Sequence, residues 1–427
     1  MYNSYGGYFV IQEFQYSPLK ALEGTELILT FSEFSVFSGL TCKKMEKIPV
    51  TIIGGGVLGC AIAYELSKSS EGIYLFEKNA YLGDEQSGRN SGVIHAGIYY
   101  DKEPIKRLLC LNGKKLIYEF CRNNNIPVIN TAKIIVATNE KEDNIVDRYV
   151  TNAASWGLAG VKKIYRDEIK QIEPNVEAVS ALYSPDTGIF DVPAYIKTLA
   201  RLAGDQGVEI LKETKVVDVK PKDGSFIVEV EYKSGGSETF ETGLLINAAG
   251  LYSDEIAKML NPQNDYEILP LRGEYYRFNS SRRPGLNMRG TNVYQVQEPF
   301  YIDGMEYLGI GIHLTPTFDL SGDGKRAIGK NVLVGPTSIV VKKKNDYETA
   351  RQGAEYFLER VAKLFPNLKL EDLEMDYAGS RAKLKVGNDF VIKKDEKYPN
   401  AVHLVGIDSP GLTSSLAIAG YVAKMLG

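Results

Sequence analysis

The fold of this chain is decided by the stretch Val50-Thr51-Ile52-Ile53-Gly54-Gly55-Gly56-Val57-Leu58-Gly59. An apolar run that predicts a strand leads directly into a glycine pattern, and Cys60 to Leu66 then predict a helix. Gly54 lets the chain turn off the strand, Gly56 lets the backbone approach a pyrophosphate, and Gly59 lets helix and strand pack closely. Because the positive end of that helix would face the phosphates, the stretch predicts a dinucleotide site.

A second predicted strand ends in an acidic residue at a fitting distance. Residues Ile73 to Phe76 are mostly apolar, and Glu77 follows them about 20 residues after the glycine pattern, where a carboxylate can accept hydrogen bonds from ribose hydroxyls. An accidental glycine-rich turn is the alternative. A preceding strand, a following helix and an acid at this distance together favour the dinucleotide site.

The composition is that of a globular protein with a large core. The chain has 427 residues, 44% of them hydrophobic, which favours two domains or two lobes. The net charge of −4 leaves no basic field for nucleic acid. The four cysteines show no CxxC spacing and the sequence shows no ligand cluster, so we expect free thiols and no metal site.

We expect a cytoplasmic protein with at most a peripheral contact at the inner face of the membrane. No apolar stretch approaches the roughly 18 residues that a spanning helix needs. Residues 1–44 lack the pattern of a secretory signal and are rich in Tyr and Phe. We expect this extension to be dispensable for the chemistry, and a docking or oligomerisation arm is the alternative.

Helix and strand signals alternate in a way that predicts an α/β protein with two interleaved domains. Residues 45–125, 190–265 and 380–427 would form a Rossmann-like dinucleotide-binding domain. Residues 126–189 and 266–379 would form a substrate domain with an antiparallel sheet that covers the ligand.

Three local predictions bear on the site. Val192 to Ala203 predicts a helix that Asp191 caps. Tyr307 to Thr315 predicts one strand of the covering sheet, and Glu348 to Phe365 predicts a helix. The last helix is predicted to begin near Leu412.

Several tracts together resemble one family. From about residue 47 to its end, the chain is similar to the FAD-dependent L-2-hydroxyglutarate dehydrogenases and oxidases, which belong to the D-amino-acid oxidase superfamily. The tracts that carry the resemblance are Gly54–Gly59 with Glu77, Gly88–Tyr100, Asn247–Gly250, Leu271–Tyr275, Gly311–Thr315 and Ala378–Arg381. One segment departs from the family, because Ile407-Asp408 stands where those enzymes carry Asn-Ala. The resemblance implies FAD as the cofactor.

The resemblance also implies which residues contact FAD. The residues expected there are Gly54, Gly56, Val57, Leu58, Gly59, Glu77, Lys78, Arg89, Asn90, Ser91, His95, Val217, Ala249, Gly250, Gly411, Leu412 and Thr413. The helix that opens at Gly411 would direct its positive end toward charge on the reduced flavin. Plain N-capping by Thr413 or Ser414 is compatible with that role.

The three histidines are the candidates for the base that oxidation of an alcohol requires. We predict His313 as the base, because a strand of the covering sheet can present it to the substrate. His95 is predicted to act beside the flavin, because its glycine-rich tract should run along the cofactor. His403 begins an apolar strand and is predicted to be structural. A satisfied core histidine is the alternative for the first two.

Arg381 is predicted to hold the substrate carboxylate and to take part in catalysis, because a guanidinium pairs bidentately with a carboxylate. A substrate with two carboxylates needs a second cation, for which the candidates are Lys383, Arg272 and Arg89. Surface ion pairs are the alternative for these cations. Tyr275 and Tyr276 are expected to line the substrate cavity, with core packing as their alternative.

These features predict an FAD-dependent oxidoreductase that acts on a small carboxylate substrate. The best single substrate is L-2-hydroxyglutarate, oxidised to 2-oxoglutarate by hydride transfer to flavin N5, with oxygen or a quinone as electron acceptor. Oxidation of glycerol 3-phosphate or of an amino acid on the same scaffold is the first alternative. A non-catalytic FAD-binding partner protein is the alternative of another class.

Overall fold

The computed structural model describes residues 46–100, 102–297, 299–302, 304–309, 311–320 and 326–427. The predictions for residues 1–44 therefore concern a part of the chain outside the described residues. Within the described ranges, no helix combines the length and the apolar character that crossing a bilayer demands.

The α-helices of the described ranges are α1 Val57–Leu66, α2 Pro104–Asn123, α3 Glu140–Ser155, α4 Arg166–Ile172, α5 Val192–Gly204, α6 Ser253–Leu260, α7 Ala354–Val361 and α8 Gly411–Leu426. The strands are β1 Lys47–Ile53, β2 Ile73–Phe76, β3 Val93–Ile94, β4 Val128–Asn130, β5 Lys133–Ala137, β6 Lys162–Tyr165, β7 Ser180–Ser184, β8 Gly188–Phe190, β9 Glu209–Leu211, β10 Thr214–Lys222, β11 Ser225–Tyr232, β12 Ser237–Asn247, β13 Ile268–Asn279, β14 Asn292–Gln295, β15 Pro299–Ile302, β16 Met305–Leu308, β17 His313–Leu320, β18 Arg326–Gly335, β19 Ile339–Val340, β20 Glu374–Leu384, β21 Val391–Lys394 and β22 Ala401–Val405.

The first sheet has the predicted Rossmann-like core. Strand β1 pairs in parallel with β2 and β12, β2 pairs in parallel with β9, and β12 pairs in parallel with β22. Strands β10, β11 and β12 form an antiparallel meander. Apolar side chains of α1, α5 and α8, such as Ile62, Leu199 and Ile418, join the strands in one hydrophobic core. The glycine turn therefore follows a strand that has a parallel neighbour on each side.

The second sheet is the predicted antiparallel sheet of the substrate domain. Its strands follow the order β19, β13, β18, β17, β14, β5, β7, β6, and β20 pairs with β13. The pair β14 and β5 is parallel. A separate core that includes Phe278, Leu314 and Phe357 supports this sheet. This sheet presents β13, β14, β17 and β20 to the site described below.

Three boundaries differ from the predictions. Strand β20 crosses the expected domain boundary at residue 380, and its register pairs Arg381 with Leu271, so Arg381 belongs to the second sheet. The strand predicted from Tyr307 to Thr315 is divided into β16 and β17, because Gly311 between them has a φ of +69°. The helix predicted from Glu348 shortens to α7, which begins only after Gly353.

Helix α5 confirms both the predicted helix and its cap. Asp191 Oδ1 accepts a hydrogen bond of 3.0 Å from the backbone N–H of Ala194, and Pro193 lies in the first turn. Such a cap satisfies one of the N–H groups that a helix start leaves unpaired.

Candidate active site

A cavity of about 660 Å³, which we call the main cavity, is lined by parts of both sheets. The turn after β1 and the segment after β2 contribute Gly56 and Glu77 to its wall, and the second sheet contributes His313 and Arg381. A pocket between two layers with a few convergent polar groups is the usual form of a cofactor and substrate site.

The turn after β1 depends on its glycines. Gly54 has a φ of +108°, and a Cβ there would lie 2.5 Å from the carbonyl oxygen of Ala248. A Cβ on Gly59 would lie 1.9 Å from the carbonyl oxygen of Gly54, so glycine keeps α1 close to β1. Gly56 directly precedes α1 and lines the main cavity. The turn therefore brings the positive end of α1 to the cavity wall.

Glu77 is fixed beside this turn at the end of β2. Its Oε2 accepts a hydrogen bond of 2.8 Å from Gly55 N, and its Oε1 accepts one of 2.7 Å from Asn79 N. Burial raises the pKa of Glu77 above its ordinary value, although the two backbone N–H groups lower it in part. A carboxylate held in this way keeps lone pairs free for ribose hydroxyls.

Most of the predicted cofactor residues line the main cavity. They are Gly54, Gly56, Val57, Leu58, Glu77, Lys78, Arg89, Asn90, Ser91, His95, Val217, Ala249, Gly250, Gly411 and Leu412. Two of the predicted residues, Gly59 and Thr413, are not among those that line this cavity. Gly59 lies behind the wall because it serves helix packing, and Thr413 lies behind it because its Oγ1 accepts a 3.0 Å hydrogen bond from His95 N.

Helix α8 begins at the main cavity. Gly411 and Leu412 line the wall, and within the described residues no side chain caps the first turn. Thr413 Oγ1 instead donates to the carbonyl oxygen of Val93, and Ser414 Oγ is buried without a partner in the described chain. The capping interpretation is therefore wrong for both residues, and the positive end of α8 lies at the cavity.

His313 begins β17, and its side chain is 2% exposed. Its Nδ1 lies 3.2 Å from the carbonyl oxygen of Gly311, which can only accept, so Nδ1 carries the hydrogen and Nε2 keeps a lone pair. Nε2 is buried and has no partner among the described residues. Burial lowers the pKa of His313 to about 3, and the charges of Lys133 and Arg381 act in the same direction. His313 therefore lines the cavity as a neutral imidazole, with an Nε2 that is unpaired within the described chain.

Lys133, at the start of β5, is a buried cation behind this histidine. Its ammonium lies 3.9 Å from the centroid of the Tyr294 ring and 5.4 Å from that of Tyr99. Within the described ranges no carboxylate pairs with Lys133. Burial lowers the pKa of Lys133 to about 7. The sequence gives little indication that Lys133 is a buried cation near His313, because a lysine just before the apolar run of β5 is typical of the polar end of a strand.

His95 follows β3 and also lines the main cavity. Its Nε2 lies 3.3 Å from Ser409 Oγ, and its Nδ1 is buried without a partner in the described chain. Burial lowers the pKa of His95 well below its usual value, and Lys133 and His313 add to this effect. The main cavity is therefore lined by two neutral imidazoles, His95 and His313.

Arg381 is held through one of its nitrogens. Nη2 donates to the carbonyl oxygen of Thr337 at 2.9 Å and to Ser338 Oγ at 2.8 Å. Nε is buried and finds no acceptor among the described residues. A buried guanidinium with an unused N–H is costly unless a ligand satisfies it. Arg381 is thus available to an anionic ligand in the main cavity.

Two predicted substrate residues lie elsewhere. Arg272 is 2% exposed and pairs with Glu274 at 2.7 Å and Asp346 at 3.4 Å, so its charge is satisfied inside the protein. The ring of Tyr276 packs against that of Phe357 in the core of the second sheet, with centroids 4.6 Å apart and planes inclined by 44°. Neither residue lines the main cavity or the smaller cavity beside it. The prediction of substrate contact is therefore wrong for both.

The other predicted substrate residues reach a cavity. Tyr275 lines the main cavity. Arg89 lines it too, but its guanidinium donates to two backbone carbonyls and lies 4.3 Å from the ring centroid of Tyr347. Lys383 lines the smaller cavity next to Arg381.

The remaining histidine, His403, lies in the core. It is 0% exposed, with Nδ1 3.1 Å from Asn247 Nδ2 and Nε2 3.3 Å from Asp395 Oδ2. Its ring nitrogens are thus both engaged, which agrees with the structural role predicted for it. Among the described residues, no group of three His, Cys, Asp or Glu side chains is arranged to hold a metal ion.

Comparison with known proteins identifies the class of this protein. Residues 49–425 match the DAO family of FAD-dependent oxidoreductases, so the chain belongs to that family. It is 30% identical over 416 residues to the L-2-hydroxyglutarate dehydrogenase of Indibacter alkaliphilus, covering 88% of this chain and 98% of that protein. It is 31% identical over 393 residues to the glycerol 3-phosphate oxidase of Mycoplasma pneumoniae, covering 90% and 95%.

A solved structure agrees with the fold. The dithionite-reduced L-alpha-glycerophosphate oxidase from Mycoplasma pneumoniae, with FAD bound, has a TM-score of 0.75 to this chain at 29% identity. The match covers 90% of this chain and 95% of that one. The protein is therefore an FAD-dependent oxidoreductase.

The residues of the main cavity fit FAD. Glu77 offers a fixed carboxylate for ribose hydroxyls, and the start of α1 offers backbone N–H groups for the pyrophosphate. The start of α8 would stabilise negative charge on the flavin ring. His313 Nε2 and Arg381 Nε are buried without partners in the described chain, and both residues line the main cavity.

Proposed function

We propose that this oxidoreductase converts a small 2-hydroxy acid into the 2-oxo acid, with L-2-hydroxyglutarate as the favoured substrate. One observation carries the proposal: Arg381 and His313 line the same cavity, and Arg381 Nε and His313 Nε2 are buried without a partner in the described chain. The carboxylate of a 2-hydroxy acid suits the first group, and the proton of its hydroxyl suits the second. Similarity to the dehydrogenase of Indibacter alkaliphilus supports this substrate.

The chain's own residues would divide the work as follows. FAD, when bound, supplies the hydride acceptor. Arg381 would hold the carboxylate and so orient the neighbouring hydroxyl, and His313 Nε2 would accept the hydroxyl proton. The bound carboxylate would offset the charge of Arg381 and raise the pKa of His313 from its value of about 3. Substrate binding would in this way prepare the base.

Glycerol 3-phosphate is the second candidate substrate, supported by the similarity to the Mycoplasma pneumoniae oxidase. Its phosphate could pair with the same guanidinium, but it carries no carboxylate beside the reacting hydroxyl. The hydroxy acid is favoured because the anionic group that would pair with Arg381 is bonded to the carbon that carries the reacting hydroxyl. Oxygen or a quinone is the proposed electron acceptor.

Substitution of Arg381 tests the clamp. Arg381→Met should raise the KM for L-2-hydroxyglutarate by about 10- to 100-fold, because charged hydrogen bonds are lost. Arg381→Lys should retain part of the affinity, since it keeps the charge and loses the planar fork. The control is Arg360→Met, on the surface of α7. Unchanged KM and unchanged flavin reduction in Arg381→Met would contradict the proposal.

A further inference from the structure

A second cavity of about 70 Å³, which we call the annex, adjoins the main cavity. The residues that line both cavities are His95, Tyr294, Arg381, Asp408 and Ser409. The annex has several times the roughly 10–15 Å³ that one water molecule needs. It therefore extends the substrate end of the main cavity and has room for a small polar group.

The annex contains a buried ionic cluster. Asp408 Oδ1 lies 2.6 Å from Lys106 Nζ, and Asp408 Oδ2 lies 3.5 Å from Lys383 Nζ. The three side chains are 10%, 5% and 12% exposed, respectively. Burial alone would raise the pKa of Asp408, but the two lysines hold it below its usual value. Lys106 is thus the tight partner of Asp408, while the looser contact leaves N–H donors of Lys383 for a ligand.

The charges around the annex are not balanced. Among the described residues that line it, Lys106, Arg381 and Lys383 are cations, and Glu103 and Asp408 are acids. Lys133 adds a further buried cation behind Tyr294. Buried charge without a counterion is costly. The residues that line the annex thus carry one more positive charge than negative charges, which favours an anionic ligand there.

The spacing of two cations suits a short dicarboxylate. Arg381 and Lys383 are two residues apart on β20, so their side chains leave the same face with Cα atoms about 7 Å apart. An extended five-carbon diacid places its carboxyl carbons about 5 Å apart, from four bonds of about 1.5 Å. The long side chains of Arg381 and Lys383 can adjust for the difference between these two distances.

We propose that the annex is the subsite for the second carboxylate of the substrate, with Lys383 as its contact and Asp408, held by Lys106, as the group that positions Lys383. This inference rests on the proposed function, because it places the first carboxylate on Arg381. It makes Lys383 a specificity-determining residue. The substrate class is then a 2-hydroxy dicarboxylate.

Binding of non-oxidisable acids to the FAD-loaded protein tests the subsite without turnover. Calorimetric titration of wild type should show glutarate binding about 10-fold or more tightly than butyrate, because only glutarate reaches Lys383. In Lys383→Gln the two affinities should come within about twofold of each other, with butyrate unchanged. Equal affinities in wild type would overturn the proposal whatever the variant does.

Matched variants separate the subsite from general charge effects. Lys385→Gln removes an exposed lysine that pairs with Glu267, and it should keep the wild-type preference for glutarate. Lys383→Arg should keep much of the preference because it keeps the charge. A Lys383→Gln variant that folds, retains FAD and still prefers glutarate would overturn the proposal. Ethyl phosphate that binds more tightly than glutarate and depends on Lys383 would assign the annex to phosphate instead.

Turnover separates this inference from the proposed function. If glutarate shows the expected preference but L-2-hydroxyglutarate does not reduce the flavin, the annex stands and the proposed reaction fails. If L-2-hydroxyglutarate reduces the flavin but glutarate binds no better than butyrate, the reaction stands and the annex fails.

Discussion

The ring of Tyr294 lies parallel to the ring of His313, with centroids 3.8 Å apart and planes inclined by 10°. The ammonium of Lys133 lies 3.9 Å from the centroid of the same tyrosine ring. Because His313 already fills one face of the ring, the cation must lie over the other. A buried positive charge is therefore placed one aromatic ring behind the proposed base, where it favours the neutral imidazole.

Removal of this charge should change the pH dependence of the reaction. Lys133 lowers the pKa of both His313 and His95, so Lys133→Met should raise both values. The acid limb of kcat/KM should then move to higher pH by about one unit. Lys133→Arg keeps a cation and should leave the limb within a few tenths of wild type. Coincident profiles for wild type and Lys133→Met would show that the charge does not act on the base.

The same lysine should make folding stability depend on alkaline pH. Its pKa is lowered from 10.5 to about 7 in the folded protein, so between these values the unfolded chain binds the extra proton. The free energy of unfolding should therefore rise with pH from about 7 toward 10.5. Relative to Lys133→Met, wild type should gain about 2 kcal/mol between pH 7 and pH 9. Urea unfolding at the two pH values measures this, and a pH-independent difference would contradict it.

The assignment of the base can be tested directly. His313→Gln should slow flavin reduction by L-2-hydroxyglutarate about 100- to 10,000-fold, because the proton acceptor is lost. The glutamine side chain would still occupy the space of the imidazole ring. FAD content should stay at the wild-type level, since His313 is assigned to the substrate. His95→Gln is the comparison. A large loss in His95→Gln with none in His313→Gln would transfer the role of base to His95.

Glu77 should control retention of the cofactor. Glu77→Ala removes the acceptor for the N–H groups of Gly55 and Asn79 and the proposed ribose contact, so the Kd for FAD should rise about 10-fold or more. Glu77→Gln should lose less, because its amide oxygen can still accept one hydrogen bond. The control is Glu65→Ala, which changes a partly exposed residue of α1 paired with Lys68. Equal FAD content in all four proteins after gel filtration would contradict the assignment.

The cofactor side of the site could be predicted from the sequence because its signals are local. A Cβ at Gly54 or Gly59 would collide with a backbone carbonyl oxygen, so the turn needs glycine at both positions. Glu77 follows the next strand of the same sheet and accepts a hydrogen bond from this turn. Such close approaches tolerate few residue types, so the pattern is visible in one sequence. His313 and Arg381 were also brought to one cavity as predicted.

The substrate side could be predicted only in part because it depends on partners far apart in the chain. Arg272 is a candidate clamp in the sequence, but Glu274 and Asp346 neutralise it in the fold. Lys133 reads as the polar flank of a strand, and only the pairing of β5 with β14 places it at Tyr294. Charge pairing across a sheet leaves no local pattern to find.

The most direct test of the central claim is an anaerobic titration of the FAD-loaded protein, followed through the absorbance of the oxidised flavin. L-2-hydroxyglutarate, its D isomer, L-lactate, glycerol 3-phosphate and glycine would be added separately. The account predicts complete bleaching by L-2-hydroxyglutarate, weak or no bleaching by L-lactate, and none by the other three. Bleaching by glycerol 3-phosphate or glycine in its place, or a bound flavin that none of the five reduces, would contradict the proposed function.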